Sequence, residues 1–244
     1  MHSEINTGSI FFYLLWYSAS CMKNATLFLF AVLLLLAADG CKVGTKPPSA
    51  SGGTAAGPET VAKSHHGNFD YYLLNLSWSP EYCHFNRSAR ECAVRSAFVL
   101  HGLWPQNTSG AYPQNCSGAR GPANPAEYSD IYPDAGLLEH EWRTHGTCSG
   151  LSPDEFFSTA RRAAQSITIP PELTGITKQI SMPPEQILSL FTAANPGIPR
   201  SSLVLSCGNN YLTAIEVCLD PSLRPTACGE VRSCRANTVR ITPP

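Results

Sequence analysis

Eight cysteines lie between residues 83 and 234 of this 244-residue chain: Cys83, Cys92, Cys116, Cys148, Cys207, Cys218, Cys228 and Cys234. An even set of thiols either pairs into disulfides or holds metal. Structural zinc needs close cysteine pairs, with two to four residues between them. The tightest spacing here, Cys228 to Cys234, leaves five residues between, so the pattern favours disulfides. Disulfides persist in oxidising compartments and staple loop-rich domains. Spacing alone leaves on the order of a hundred connectivities open.

The start of the chain agrees with export. Residues 22–41 carry Lys23, then an uninterrupted apolar run from Leu27 to Ala38, then small residues. That is the layout of a secretory signal, and the run is short for a membrane span. Met22 reads as the true start, with residues 1–21 an extension. Ala38-Asp39-Gly40-Cys41 resembles a lipoprotein box, so two outcomes stand side by side: a lipid anchor at Cys41, or ordinary cleavage beside it. Residues 42–67, rich in Gly, Ser, Pro and Ala, read as a flexible tether. The expected organisation is leader 1–41, linker 42–67 and one folded domain 68–244, placed in the periplasm, outside the cell or on a membrane.

Composition narrows the partners. At 43% hydrophobic, the chain has enough apolar material for a core. A net charge of −1 with only 14% charged residues excludes a binder that lives on bulk phosphate attraction. It leaves room for an enzyme that touches few phosphates. No obligate protein partner is indicated, and a monomer is expected.

The elements are segregated rather than alternating. FDYYLLNLSWSP (69–80) and SAFVLHGLWP (96–105) read as strands, the second stopped by Gly102 and Pro105. Residues 106–133 read as a long loop. A helix begins near Leu137. Ser152 and Glu155 form a capping box opening a helix over 152–167, with Phe156, Phe157, Ala160, Ala163, Ala164 and Ile167 on one face. Another helix opens at Ser181-Met182-Pro183-Pro184. SLVLSC (202–207) and YLTAIEVCLD (211–220) form a hairpin around Gly208-Asn209-Asn210. The fold class is therefore α+β, with a mainly antiparallel central sheet flanked by helices and stapled by disulfides.

Two short segments carry the chemistry: Phe98-Val99-Leu100-His101-Gly102-Leu103-Trp104-Pro105 and His140-Glu141-Trp142-Arg143-Thr144-His145-Gly146-Thr147-Cys148. On a helix Glu141 and His145, four apart, share a face. His140 and His145, five apart, should diverge by about 140°. HEWRTH is thus not the i, i+4 histidine pair of a zinc protease. A carboxylate and a histidine on one face, met by a histidine from a strand, suit acid/base chemistry.

HGLWP and HEWxxHGTC resemble the two signatures of the ribonuclease T2 family, whose members are exported, disulfide-bonded endoribonucleases. The likeness runs over residues 69–240 and includes SWSPEYC, Asn115-Cys116 and the late strand pair ending in IEVC. It implies His101 and His145 as the acid/base pair, with Glu141 orienting a histidine or stabilising the phosphorane. It implies His140 on a phosphate oxygen, and Trp104 and Tyr112 as base-stacking residues. It also implies the pairs Cys83–Cys92, Cys116–Cys148, Cys207–Cys234 and Cys218–Cys228. The family often has lysine before its second histidine, where this chain has Thr144, with Arg143 one step earlier as an alternative cation. Gln106 stands where a carboxylate sometimes follows the first signature, so no base preference carries over. The expected activity is low-specificity cleavage of single-stranded RNA through a 2′,3′-cyclic phosphate, with no cofactor and no metal. Two rivals are a catalytically silent relative acting as an RNA-binding or toxin-like surface protein, and a metal-dependent hydrolase built on His65, His66 and HEWRTH.

Overall fold

The computed structural model describes residues 67–93 and 97–244. The leader, Cys41, the histidines His65 and His66 and nearly all of the tether lie outside the described residues. Among the described residues six strands form one sheet. These are β1 (Tyr71–Trp78), β2 (Phe98–Gln106), β3 (Ile180–Met182), β4 (Leu203–Gly208), β5 (Tyr211–Leu219) and β6 (Val239–Ile241). The helices are α1 (Ser79–Phe85), α2 (Ala135–Thr144), α3 (Pro153–Gln165), α4 (Pro171–Thr174) and α5 (Pro184–Ala194), with short 3₁₀ turns between. None of them is long and apolar enough to cross a membrane.

Strands run in the order β2-β1-β5-β6-β3, with β4 on β5; every pairing is antiparallel except β5 with β6. This is the α+β, mainly antiparallel sheet that the pattern of elements predicts. The strand β1 is central because it is apolar on both faces. Tyr72, Leu74, Leu76 and Trp78 enter the main core with Phe156, Phe157, Leu188 and Phe191. Tyr71 and Leu73 pack on the other side with Cys218 and half-buried Trp104. The capping box of α3 forms in full: Ser152 Oγ accepts from the Glu155 amide while the Glu155 carboxylate accepts from the Ser152 amide. The β4–β5 hairpin turns on Asn209 and Asn210, both at positive φ, the conformation a two-residue turn needs and asparagine tolerates.

The strand β2 corrects the sequence reading. It does not stop at Gly102 or Pro105 but continues to Gln106, pairing along β1 as far as Tyr71. Proline fits because β2 is an edge strand and has no second partner requiring its missing N–H. Gly102 fits because the ladder slips there: Asn75 faces Gly102 while Leu76 faces Leu100, which leaves His101 as the extra residue of a bulge. Four further elements escaped the periodicity argument: α1, α4, and the three-residue strands β3 and β6, which pair with each other. β3 takes up Ser181 and Met182, so the next helix opens at Pro184.

The four disulfides among the described residues join the pairs implied by the family resemblance: Cys83–Cys92, Cys116–Cys148, Cys207–Cys234 and Cys218–Cys228. The second ties the long coil after β2 to the turn that follows α2. That coil is also held by Asn115 donating to the Thr144 carbonyl and by Trp142 Nε1 donating to the Ala119 carbonyl at 2.8 Å.

Candidate active site

The site forms where the bulge of β2 meets the C-terminal end of α2. A bulge re-aims the side chain of its extra residue, and here that residue is His101. Three positions later Trp104 projects from the same strand. Its indole Nε1 donates to Glu141 Oε2 at 2.9 Å. Gly102 makes this approach feasible, since a Cβ there would overlap both Glu141 Oε2 and Trp104 Nε1.

On the helix side, Asp134 caps α2 by accepting from the Gly136 and Leu137 amides. Glu141 is fully buried on α2, and His145 follows the last helical residue with 8% exposure. The His145 ring stacks on Trp104 at 5.2 Å and 28° between planes. His101 meets the same indole edge-on at 5.8 Å, with its Nε2 at 4.0 Å from Glu141 Oε1. Trp104 therefore holds both histidines and the carboxylate in one array.

His140 is also there, and this overturns a second expectation. The rings of His140 and His145 lie 6.2 Å apart, and potential ligand atoms of His140, Glu141 and His145 fall within 4.8 Å of one another. The divergence of 140° assumed an unbroken helix. The helix ends at Thr144, and His145 has left helical geometry at φ −115° and ψ −48°.

Two buried polar atoms in this array have no hydrogen-bond partner: Glu141 Oε1 and His145 Nδ1. Buried polar atoms are rarely left so, and orphans at one spot mark a place for a ligand or water. Burial pushes the Glu141 carboxyl up to about 8, against the pull of the Trp104 indole. Burial drives His145 down to about 4, with His140 and His101 adding in the same direction. His101 is lowered as well, first by burial and then by His140.

The other predicted residues are less engaged. Arg143 is exposed and makes no side-chain hydrogen bond or ion pair among the described residues. Thr144 is half-buried between Arg143 and His145. Tyr112 is 50% exposed on the coil after β2.

His101 and Trp104 also line a cleft of about 680 Å³ that runs across the sheet toward α1 and the β4–β5 hairpin. Its walls bring in residues the sequence reading did not select: Tyr82 and Phe85 from α1, and Asn75, Ser206 and Glu216 from the sheet. One signal was available for Glu216, a lone acid in the otherwise apolar stretch AIEVCL.

Comparison with known proteins points one way. A model of the Ribonuclease T2 family matches residues 69–228. A ribonuclease of Aeromonas hydrophila is 42% identical over 114 residues, which cover 46% of this chain and 53% of that protein. The chain thus spans about half the length of that relative. Ribonuclease DdI of Dictyostelium discoideum is 27% identical over 68% of this chain and 81% of its own. Among solved structures, the RNase-related protein from Calystegia sepium superposes with a TM-score of 0.59 at 26% identity, covering 71% of this chain and 97% of that one.

Proposed function

The chain belongs to the ribonuclease T2 family, and on that premise we propose that it is an exported endoribonuclease cleaving single-stranded RNA with low base specificity. Its catalytic domain is residues 68–244. The observation that carries this reading is the array itself: two imidazoles packed on one indole, a buried carboxyl bonded to that indole, and two buried polar atoms without a partner, one on the carboxyl and one on an imidazole.

RNA supplies its own nucleophile, the ribose 2′-OH. The reaction then needs one neutral imidazole to take that proton and one protonated imidazole to give a proton to the departing 5′-oxygen. His145 suits the base, because burial holds it neutral. His101 suits the acid: its side chain is 40% exposed at the cleft, where it can reach the departing oxygen, and its Nε2 lies 4.0 Å from Glu141 Oε1. Attack of O2′ on phosphorus forms the 2′,3′-cyclic phosphate as the bond to the 5′-oxygen breaks. Glu141 Oε1, when protonated, can donate to a phosphorane oxygen. His140, exposed beside the pair, binds a phosphate oxygen, and Arg143 is a second candidate cation. Trp104 is bound to Glu141 through its indole edge, so it positions the catalytic groups as well as offering a face to a base. No step calls for a Lewis acid.

The signal-like pattern at 22–41 and the four disulfides among the described residues support the export part of this reading. A lipid anchor at Cys41 and a monomeric state belong to the same reading. Mass spectrometry of the native protein from membranes tests the anchor: an unmodified mature N-terminus beyond Cys41 removes it.

The test of the chemistry is product analysis of an RNA dinucleotide beside its 2′-deoxy twin. The expected result is a cyclic phosphate from the first, nothing from the second, and no effect of chelator. Cleavage of the deoxy twin, or 5′-phosphate ends from RNA, would overturn the mechanism. A folded protein that binds RNA and never cleaves it would favour the silent-relative reading.

A further inference from the structure

The cleft that takes in His101 and Trp104 reaches the turn of the β4–β5 hairpin, where Gly208, Asn209 and Tyr211 line it together with Gln179 and Thr242. Among the described residues no lysine or arginine lines it. Its carboxylates are engaged. Glu81 accepts from Thr242 Oγ1 at 2.6 Å, and Glu216 accepts from Asn75 Nδ2 at 2.9 Å and from Ser206 Oγ at 3.1 Å. A cation stands at the hairpin rim. Arg240 on β6 pairs in parallel with Tyr211 on β5. Its guanidinium lies over the Tyr211 ring at 5.0 Å, and Nη1 donates to the Tyr211 hydroxyl at 3.2 Å. Strand alternation puts Arg240 on the cleft face of the sheet: its neighbours Val239 and Ile241 are buried in the main core, and Thr242, two residues on, lines the cleft.

Arg240 is exposed and has no carboxylate partner among the described residues. A surface arginine ordinarily samples many rotamers, whereas one stacked on an aromatic ring is held in place with donors to spare. The planar fork of a guanidinium matches two oxygens of a phosphate. In a chain of net charge −1 the long-range pull on a polyanion is weak, so a fixed cation acts by where it stands. Its place follows from the register. Gly102 of the catalytic bulge faces Asn75, Asn75 faces Glu216, and Tyr211 lies five residues from Glu216 along β5. At about 3.4 Å per residue that is about 17 Å along the sheet. An extended single strand covers that distance in about three nucleotides.

We propose that Arg240, held on Tyr211, is a remote phosphate subsite that grips the RNA backbone about three nucleotides from the cleaved bond. The inference rests on the ribonuclease reading for its ligand. It reads charge and distance, not sequence, and it makes oligonucleotides better substrates than dinucleotides. Arg240→Gln removes the charge and keeps donors for the Tyr211 hydroxyl. Arg240→Lys keeps the charge on a side chain of similar reach.

Two measurements test it. In the first, a 2′-deoxy oligonucleotide carries a single ribose, so only one step can be cleaved. Neutral methylphosphonate linkages replace its phosphates one at a time, and kcat/KM is measured for each strand. In the wild type the replacement about three linkages from the ribose, on one side, should cost about fivefold, the scale of one exposed ion pair. In Arg240→Gln the same replacement should cost nothing. Identical profiles in wild type and variant overturn the subsite while leaving the nuclease intact. In the second, binding of an all-deoxy strand is followed by fluorescence anisotropy from about 50 to about 200 mM salt, which needs no turnover. The slope of log affinity against log salt should shrink by about 0.7 in Arg240→Gln and return in Arg240→Lys. An unchanged slope, or a loss that lysine does not restore, overturns the proposal even if the protein cleaves nothing. A changed slope in a protein that cleaves no strand keeps the phosphate site and removes the nuclease reading instead.

Discussion

Replacing Glu141 by glutamine should change how stability depends on pH in one defined window. The carboxyl is fully buried and its pKa rises from 4.5 to about 8. Between those values the folded state holds a proton that the unfolded chain has lost, so stability falls as pH rises. His145 works the other way, because its pKa drops from 6.5 to about 4. Between about 4.5 and 6.5 the two slopes nearly cancel. Above 6.5 the histidine is neutral in both states and only the carboxyl remains. From about pH 6.5 to about pH 8, at about 1.4 kcal/mol per unit, the wild type should lose about 2 kcal/mol through this group. Buried Glu216 is also raised and slopes the same way, so the wild-type curve alone does not isolate Glu141. The difference from Glu141→Gln does, because the amide can still accept from Trp104 Nε1 but carries no titrating proton. The assay is urea unfolding followed by tryptophan fluorescence, with disulfides intact, at the two ends of the window. A variant that loses as much stability as the wild type between them would refute the reasoning.

Three further outcomes follow from the same geometry. The pH–rate curve of kcat/KM should be bell-shaped with its maximum below 6.5, since the acid loses its proton above the lowered pKa of His101 and the base is protonated near 4; an optimum above neutrality contradicts this. Cys148→Ser should cost about 4 kcal/mol, from a closed segment of 32 residues, and lower the rate because the coil that braces α2 comes loose; unchanged melting would count against it. Thr144→Lys should hold or raise turnover, because Thr144 adjoins His145 and Arg143 makes no ion pair beside it; a tenfold fall would show that the site depends on its own arrangement.

What could be read from the sequence was mostly local. The Ser152–Glu155 box, the Asn209-Asn210 turn and the two signature segments act within a few residues, and each appears where the pattern puts it. The failures came where a distant contact overrules a local rule. Gly102 and Pro105 look like stops, yet an edge strand tolerates the proline and a bulge uses the glycine. His140 and His145 diverge only if the helix continues, and one unwound residue brings them together. The Asn75–Glu216 bond joins residues 141 positions apart, so no spacing could announce it. The cysteine pairing was beyond arithmetic and came from the family likeness.

The Cys116–Cys148 bridge bears on the safety of the cell that makes this protein. It holds the coil after β2 against the helix that carries Glu141 and His145. While the chain is in a reducing cytosol that clamp is open, and the coil is left on α2 by its hydrogen bonds alone. On the proposed reading of an exported endoribonuclease, the site is thereby left without this bridge among its maker's own transcripts and gains it only after crossing into an oxidising space. Cytosolic expression in a host lacking disulfide formation should accordingly be tolerated, and the recovered chain should acquire activity only on oxidative refolding.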